Sequence, residues 1–450
     1  MPVSSGRSPA AEESRSHALA FTGVQVIPMI GQRVLPDRTV LVQDGRIVEV
    51  GTADSVMVPS GAEIIRGEGL YLVPGLIDFH VHVRSESELL SYLAHGVTTV
   101  VNMRGSPEHL ELARAVADGT TLGPWIYTAG PLIDGVPPIW SGSATRIVTS
   151  PAEARAAVAE QARAGYDLVK VYNNLDPGSL AAAVEEARRR DLAVVGHVPR
   201  NPDRAAALQR ALDAGVAMIA HGEEFFFTFL GGASDAALSG RPHPSGPEPE
   251  RIRAAARLAS EAGVAVTPNL SFIAMTARML EDLGAVLTHP EAAYLDPEVR
   301  EMWERQNPTR RDDLERFTRR ETIKYAAVRA LTKALHEEDV LLLLGTDASA
   351  PGLYPGESAL LELEELVAAG LTPYEALATG TRNAGRFLTE HVSDARPVGT
   401  IEPGSVANLV LLEENPLEDI TAMRERVGVA VRGRWFPLER LEELRNRERN

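Results

Sequence analysis

Six side chains able to serve a divalent cation stand inside or at the ends of apolar runs: His80 and His82 in VPGLIDFHVH, Lys170 in DLVKVY, His197 in AVVGHV, His221 in VAMIAHG and Asp347 in VLLLLGTDAS. His80 and His82 are two residues apart, so on a strand both point to the same face and can reach one ion at about 2.0–2.1 Å. An H-x-H pair alone is a common accident. Its recurrence with four more metal-type residues at strand ends is not, and it points to metal-assisted hydrolytic chemistry. Lys170 lies between Val169 and Val171, an odd place for a lysine that only reaches for solvent. An ammonium group cannot bind a cation, but its CO2 adduct is an anionic carbamate whose two oxygens can span two metals.

Such residues must be brought together by the elements that carry them. Between about Leu72 and Glu390 apolar runs alternate with segments rich in Ala, Glu and Arg, a pattern of repeated βα units. Eight strands are expected: the five runs above, then VTTVVNMR, WIYTAG and VAVTPNL, with helices such as 179–191 and 203–214 between them. The fold class is therefore α/β, a (β/α)8 TIM barrel over 72–390, whose strand C-termini converge on the face where barrels place their sites. Short β-rich runs fill 18–71, with QDGR as a hairpin turn, and similar runs return in 391–450. Together these two segments are expected to pair into a small discontinuous β-sandwich. Residues 1–17 read as a disordered tail, and 231–249 and 288–313 as irregular loops over the catalytic mouth.

Composition narrows the choices. In 450 residues, 44% are hydrophobic and 24% charged, which suits a folded protein with a large core. The formal charge of -17 argues against a nucleic-acid surface. Zero cysteines exclude a disulfide framework, a thiolate zinc site and a cysteine nucleophile. No run is long enough to span a membrane, and residues 1–16 lack the apolar core of a secretory signal, so a cytoplasmic location is the default expectation, with a processed secreted form as the alternative.

The pieces VPGLIDFHVH, GVTTV, DLVKVY, VVGHV, ALDAGVAMIAHG, LLLLGTDAS, GLTPYEALATGTRNAGRFL and GTIEPGSVANLVLLEENPLEDI together resemble the amidohydrolase superfamily, in detail its imidazolonepropionase and prolidase-like branch. The resemblance implies two divalent ions, with zinc the first choice. It implies that His80, His82 and Asp347 hold one, that His197 and His221 hold the other, and that carboxylated Lys170 bridges them. Relatives commonly form homo-oligomers. The implied reaction is attack by a bridging hydroxide on an amide-type C–N bond, in a dipeptide or an N-acyl amino acid. Asp347 would accept the water proton and deliver it to the leaving amine.

Around this centre other residues are candidates. Tyr172 faces the same side as Lys170 and could donate to a developing oxyanion, with packing the competing role. Arg104, Arg241 and His243 could pair with a substrate carboxylate, or be ordinary surface. Phe225 and Phe226, in EFFFTFL, could wall a pocket for an apolar group, or pack in the core. Alternative activities are a one-metal deaminase or imidazolone-type cyclic amide hydrolase, for which the acids of HGEE could shuttle protons, and a lactonase or phosphotriesterase.

Overall fold

A computed structural model of the chain describes residues 18–230 and 247–449. Residues 1–17, and Arg241 and His243 with most of the 231–249 segment, lie outside the described residues.

The two ends of the chain meet in one eight-stranded sheet. Its N-terminal part comprises Ala18–Val26, Leu35–Gln43, Arg46–Gly51, Glu63–Arg66 and Tyr71–Pro74; its C-terminal part comprises Leu409–Leu412, Arg426–Val431 and Arg434–Pro437. The QDGR hairpin forms because Asp44 (φ 49°) and Gly45 (φ 79°) both accept the left-handed conformation that a two-residue turn demands. Tyr71–Pro74 pairs antiparallel with Leu409–Leu412, which joins the two ends. Where two facing sheets were expected, there is one. Ala18–Val26 takes Glu63–Arg66 as neighbour along Leu19–Thr22 and Tyr71–Pro74 along Gln25–Val26. The sheet carries its own core of Leu19, Phe21, Val24, Leu72, Leu409 and Leu411, and an isolated bridge from Arg46 to Val406 ties its far edge back to the C-terminal segment. The chain then ends in a helix, Leu438–Arg449, which buries Leu441 and pairs Arg445 with Glu291, so the 391–450 segment is not purely β.

The middle of the chain is a TIM-barrel-like α/β arrangement. Leu76–Val81, Val97–Asn102 and Trp125–Thr128 form one parallel sheet. Leu168–Val171, Ala193–Gly196, Met218–Ala220 and Ala265–Thr267 form another, extended at its edge by the short strands Leu132–Asp134 and Thr145–Ile147. Isolated parallel bridges connect Ala129 to Leu168, Val266 to Leu342 and Val81 to Ala348. Among the described residues no continuous eight-stranded ladder is formed, and the eighth run departs from regular strand geometry. Leu343 and Leu344 still bond to Val266 and Phe79, but beyond Gly345 the chain turns, Asp347 adopts φ 68°, and Thr346 gives its N–H and hydroxyl to the carboxylate of Asp78. The side-chain bond to Asp78 adds to backbone pairing that continues past the turn, Asp347 N to His80 O at 2.7 Å and the bridge of Val81 to Ala348, and together they fix the place where Asp347 is aimed.

Helix starts follow capping chemistry. Pro177–Arg188 begins two residues earlier than expected because Asp176 accepts from Ser179 N and Pro177 sits at the first helical position. The 288–313 stretch is more ordered than expected. His289, Asp296 and Asn307 each cap a turn or helix that opens with proline, giving Pro290–Tyr294, Pro297–Arg305 and Pro308–Arg310. Among the described residues no helix is long and apolar enough to cross a membrane.

Candidate active site

Every strand end singled out by sequence contributes to one cluster. His82 Nε2 is 2.9 Å and His80 Nε2 is 3.3 Å from Asp347 Oδ1. Lys170 Nζ is 3.1 Å from His80 Nε2. The ring centroids of His80 and His221 are 4.6 Å apart, and those of His197 and His221 4.8 Å. His221 (φ 73°) and Asp347 (φ 68°) both hold left-handed backbone, a conformation that His and Asp adopt more readily than most residue types.

The donor set has the chemistry of a divalent-cation site. Burial, opposed at His82 by Asp347, pushes His82 down to about 4 and His221 to about 4, and it lowers His80 and His197 as well, so all four imidazoles are neutral and able to coordinate. Nδ1 of His80 and of His221 is buried without a hydrogen-bond partner. Burial acts against the charge of Asp347, but the hydrogen bond from His82 and the surrounding His221 and Lys170 side chains outweigh it and hold the carboxyl well below its ordinary range. His80, His82 and Asp347 offer ligand atoms within 4.8 Å of one another. Lys170 is 1% exposed, and burial pushes its ammonium down to about 8, against the pull of Asp347. A neutral amine is the form that takes up CO2.

Above the cluster lies a cavity of about 380 Å³ lined by His82, His197, His221, Asp347 and Tyr172 among others. Tyr172 packs tilted against His197, 4.1 Å between centroids and 40° between planes, and accepts a hydrogen bond of 2.9 Å from Trp140 Nε1. Burial keeps its phenol protonated well above the usual range, so its proton is available for donation. Arg104 lines the cavity, donates to Ser141 O and faces the Trp140 ring, while its Nε is buried without a partner. Arg84 lines the cavity as well. Phe225 and Phe226 do not. In the helix Glu223–Thr228 they turn into the main hydrophobic core at 0% and 2% exposure, and the phenylalanines that line the cavity are Phe272 and Phe317.

Three carboxylates surround the cluster, Asp78 and Glu224 buried and Glu223 partly exposed. Asp78 accepts from His80 N and from Thr346, locking the first strand to the last turn. Glu223 of HGEE lines the cavity and is held by Lys324 at 2.6 Å. Its neighbour Glu224, fully buried, lies 2.9 Å from His197 Nδ1 and 2.6 Å from Arg200 Nη2. Burial opposes its ionisation, yet Arg200 and His197 together hold it at about 2. The spacing of HGEE showed two acids near His221, but nothing in it indicated that the second would reach His197. Glu224→Gln keeps the shape and removes the charge that orients that imidazole. It is expected to weaken metal affinity by about 10- to 100-fold, as outer-shell replacements do, measured by competition with a chromogenic chelator.

The sequence model of the Amidohydrolase family matches residues 71–436, and the chain belongs to that family. It is thus a metal-dependent hydrolase acting on carbon–nitrogen bonds. Ochratoxinase of Aspergillus niger is 24% identical over 422 residues, covering 80% of this chain and 73% of that protein. Adenine deaminase of Paracoccus denitrificans is 35% identical over 105 residues, 22% of this chain and only 16% of that relative's length. Among solved structures, a bottromycin amidohydrolase superposes with a TM-score of 0.72 at 25% identity, over 98% of this chain and 92% of that one.

Proposed function

We propose that this chain is a binuclear amidohydrolase that cleaves the amide bond of a small carboxylated molecule, an N-acyl amino acid or a dipeptide. The observation that carries the reading is Lys170: a lysine shut away from solvent at 3.1 Å from a histidine nitrogen, with burial favouring its neutral form. As a carbamate it becomes the anionic ligand that a pair of cations requires. On this reading His80, His82 and Asp347 hold one ion, His197 and His221 the other, and carboxylated Lys170 both; the ions, zinc by first choice, supply an activated water and a Lewis acid for the scissile carbonyl. The eight apolar runs of 72–390 then act as one catalytic barrel, with 18–71 and 391–450 as its accessory domain.

The chain's own groups do the rest. Asp347 takes the proton of the attacking water and passes it to the departing amine. Tyr172 donates its hydroxyl proton to the carbonyl oxygen as charge develops there. Arg104, whose Nε has no partner and which has no carboxylate in ion-pair range among the described residues, receives the substrate carboxylate. The amide-cleaving activity in the name of the bottromycin relative supports the same bond type.

A second reading is a one-metal deaminase. The compact grouping of His80, His82 and Asp347 within 4.8 Å by itself fits a single ion, and a stretch of the chain is similar to adenine deaminase. Elemental analysis with a product screen separates the two. Two ions per chain, with amino acid released from N-acyl amino acids or Xaa-Pro dipeptides, is the expected result. One ion, with ammonia released from a heterocyclic base, would put the deaminase in its place.

A further inference from the structure

The cavity has two unlike flanks. Arg104 follows the second strand, Leu132 and Trp140 follow the third, and Tyr172 follows the fourth. The opposite flank comes from the chain after Ala265–Thr267, which lies four strands along the pairing order from Trp125–Thr128 and so faces it across a barrel-like ring. There the helix Leu270–Glu281 supplies Phe272, Thr276 and Met279, and the 297–337 region adds Met302, Pro308 and Phe317.

This second wall is mostly hydrocarbon and thioether, and the cations behind it are already neutralised. Arg311 and Arg320 lie 4.5 and 4.9 Å from the Phe317 ring, and each is bonded to a carboxylate, Asp313 and Glu321 respectively. Lys324, 5.9 Å from the Phe272 ring, is paired with Glu223 and Glu321. The wall therefore offers no charge to a ligand, in contrast to Arg104 on the other side. Methionines at its centre can repack around chains of different shape.

We infer that the wall formed by Phe272, Met279, Met302 and Phe317 selects substrates with a long or bulky hydrocarbon acyl group. The inference rests on the proposed amide reading: with the substrate carboxylate at Arg104 and the scissile bond over the ligand cluster, it is the acyl group that reaches this flank.

The test is a ladder of N-acyl derivatives of one amino acid, from acetyl to octanoyl. kcat/KM is expected to rise about three- to fourfold per added methylene until the wall is covered, the gain that burying a CH2 provides. Met302→Gln, at a partly exposed position, is expected to compress the octanoyl-to-acetyl ratio at least tenfold with an unaltered melting temperature. A flat ladder, or a ratio unchanged in Met302→Gln, overturns the inference. The matching N-alkyl amino acids, which have no amide to cleave, are titrated calorimetrically into the wild-type enzyme. Affinity that tightens with chain length in an enzyme that hydrolyses none of the amides keeps the wall and rejects the amide reading; affinity independent of length rejects the wall.

Discussion

Lys170→Ala is expected to lower kcat/KM by about 10³-fold or more and to reduce the metal content below two ions per chain, because it removes the bridging ligand and with it the several kcal/mol that metal activation supplies. The argument turns on what else a lysine could be doing there. Nζ is buried among imidazoles, and among the described residues its one neighbour in hydrogen-bond range is a nitrogen of His80. If it were an ordinary ammonium in the resting enzyme, it would be a desolvated cation beside two ions of like charge, and its removal would relieve repulsion, so metal binding would tighten. The carbamate reading gives the opposite sign. Elemental analysis of Lys170→Ala therefore decides between them, and Lys170→Glu, which restores a carboxylate at the same strand position, is expected to regain part of the lost metal and to show that the alanine variant lacks a ligand rather than a fold. Two retained ions at full rate in Lys170→Ala would end the bridging assignment.

How far the molecule could be read beforehand depends on whether the signal was local. His80, His82, His197, His221 and Asp347 stood out because each closes an apolar run, and the TIM-barrel-like arrangement of those runs is enough to bring them together. The Asp-Gly hairpin was equally local, fixed by two residues that tolerate positive φ. Features set by long-range pairing were harder. Whether the terminal segments make one sheet or two depends on Ala18–Val26 changing neighbours part-way along; Gly23 (φ 72°) sits at the change, but a lone glycine in a β-rich run does not say which strand will pair on either side of it.

The cavity walls were the least legible. Phe225 and Phe226 lie close to His221 in sequence, but the helix starting at Glu223 rotates them into the core. The residues that do face the cavity, Met279, Met302 and Phe317, lie far from any ligand in the chain and belong to no motif. Region 288–313 misled for a related reason. The stretch reads as irregular, whereas Pro290, Pro297 and Pro308 occupy first helical positions behind capping side chains, where a missing N–H costs nothing. Glu224 shows the remaining gap: a buried acid can be spotted next to His221, but its contact with His197 exists only after two strands and a helix have packed.

Asp347→Asn is expected to lower kcat by about 10⁴-fold on alkyl amides, the upper range for losing a general acid and base. Asparagine has nearly the same shape and can still place an oxygen near His82, but it can neither take a proton from water nor return one to nitrogen. The two roles proposed for Asp347, ligand and proton carrier, separate when the leaving group is varied. An alkylamine is too basic to depart unprotonated, so its release needs the carboxyl proton; a nitroanilide leaves with far less help. If Asp347 carries the proton, the variant loses much more activity on the alkyl amide than on the nitroanilide, and adding metal does not restore the difference. If it only coordinates, both substrates lose the same factor, metal content falls in step, and excess metal recovers both. The carboxylate is held ionised chiefly by the hydrogen bond from His82, which is the state in which a base must wait. Equal losses on the two substrates would leave the proton without a carrier at this position, and Glu223, the other carboxylate lining the cavity, would be the residue to replace next.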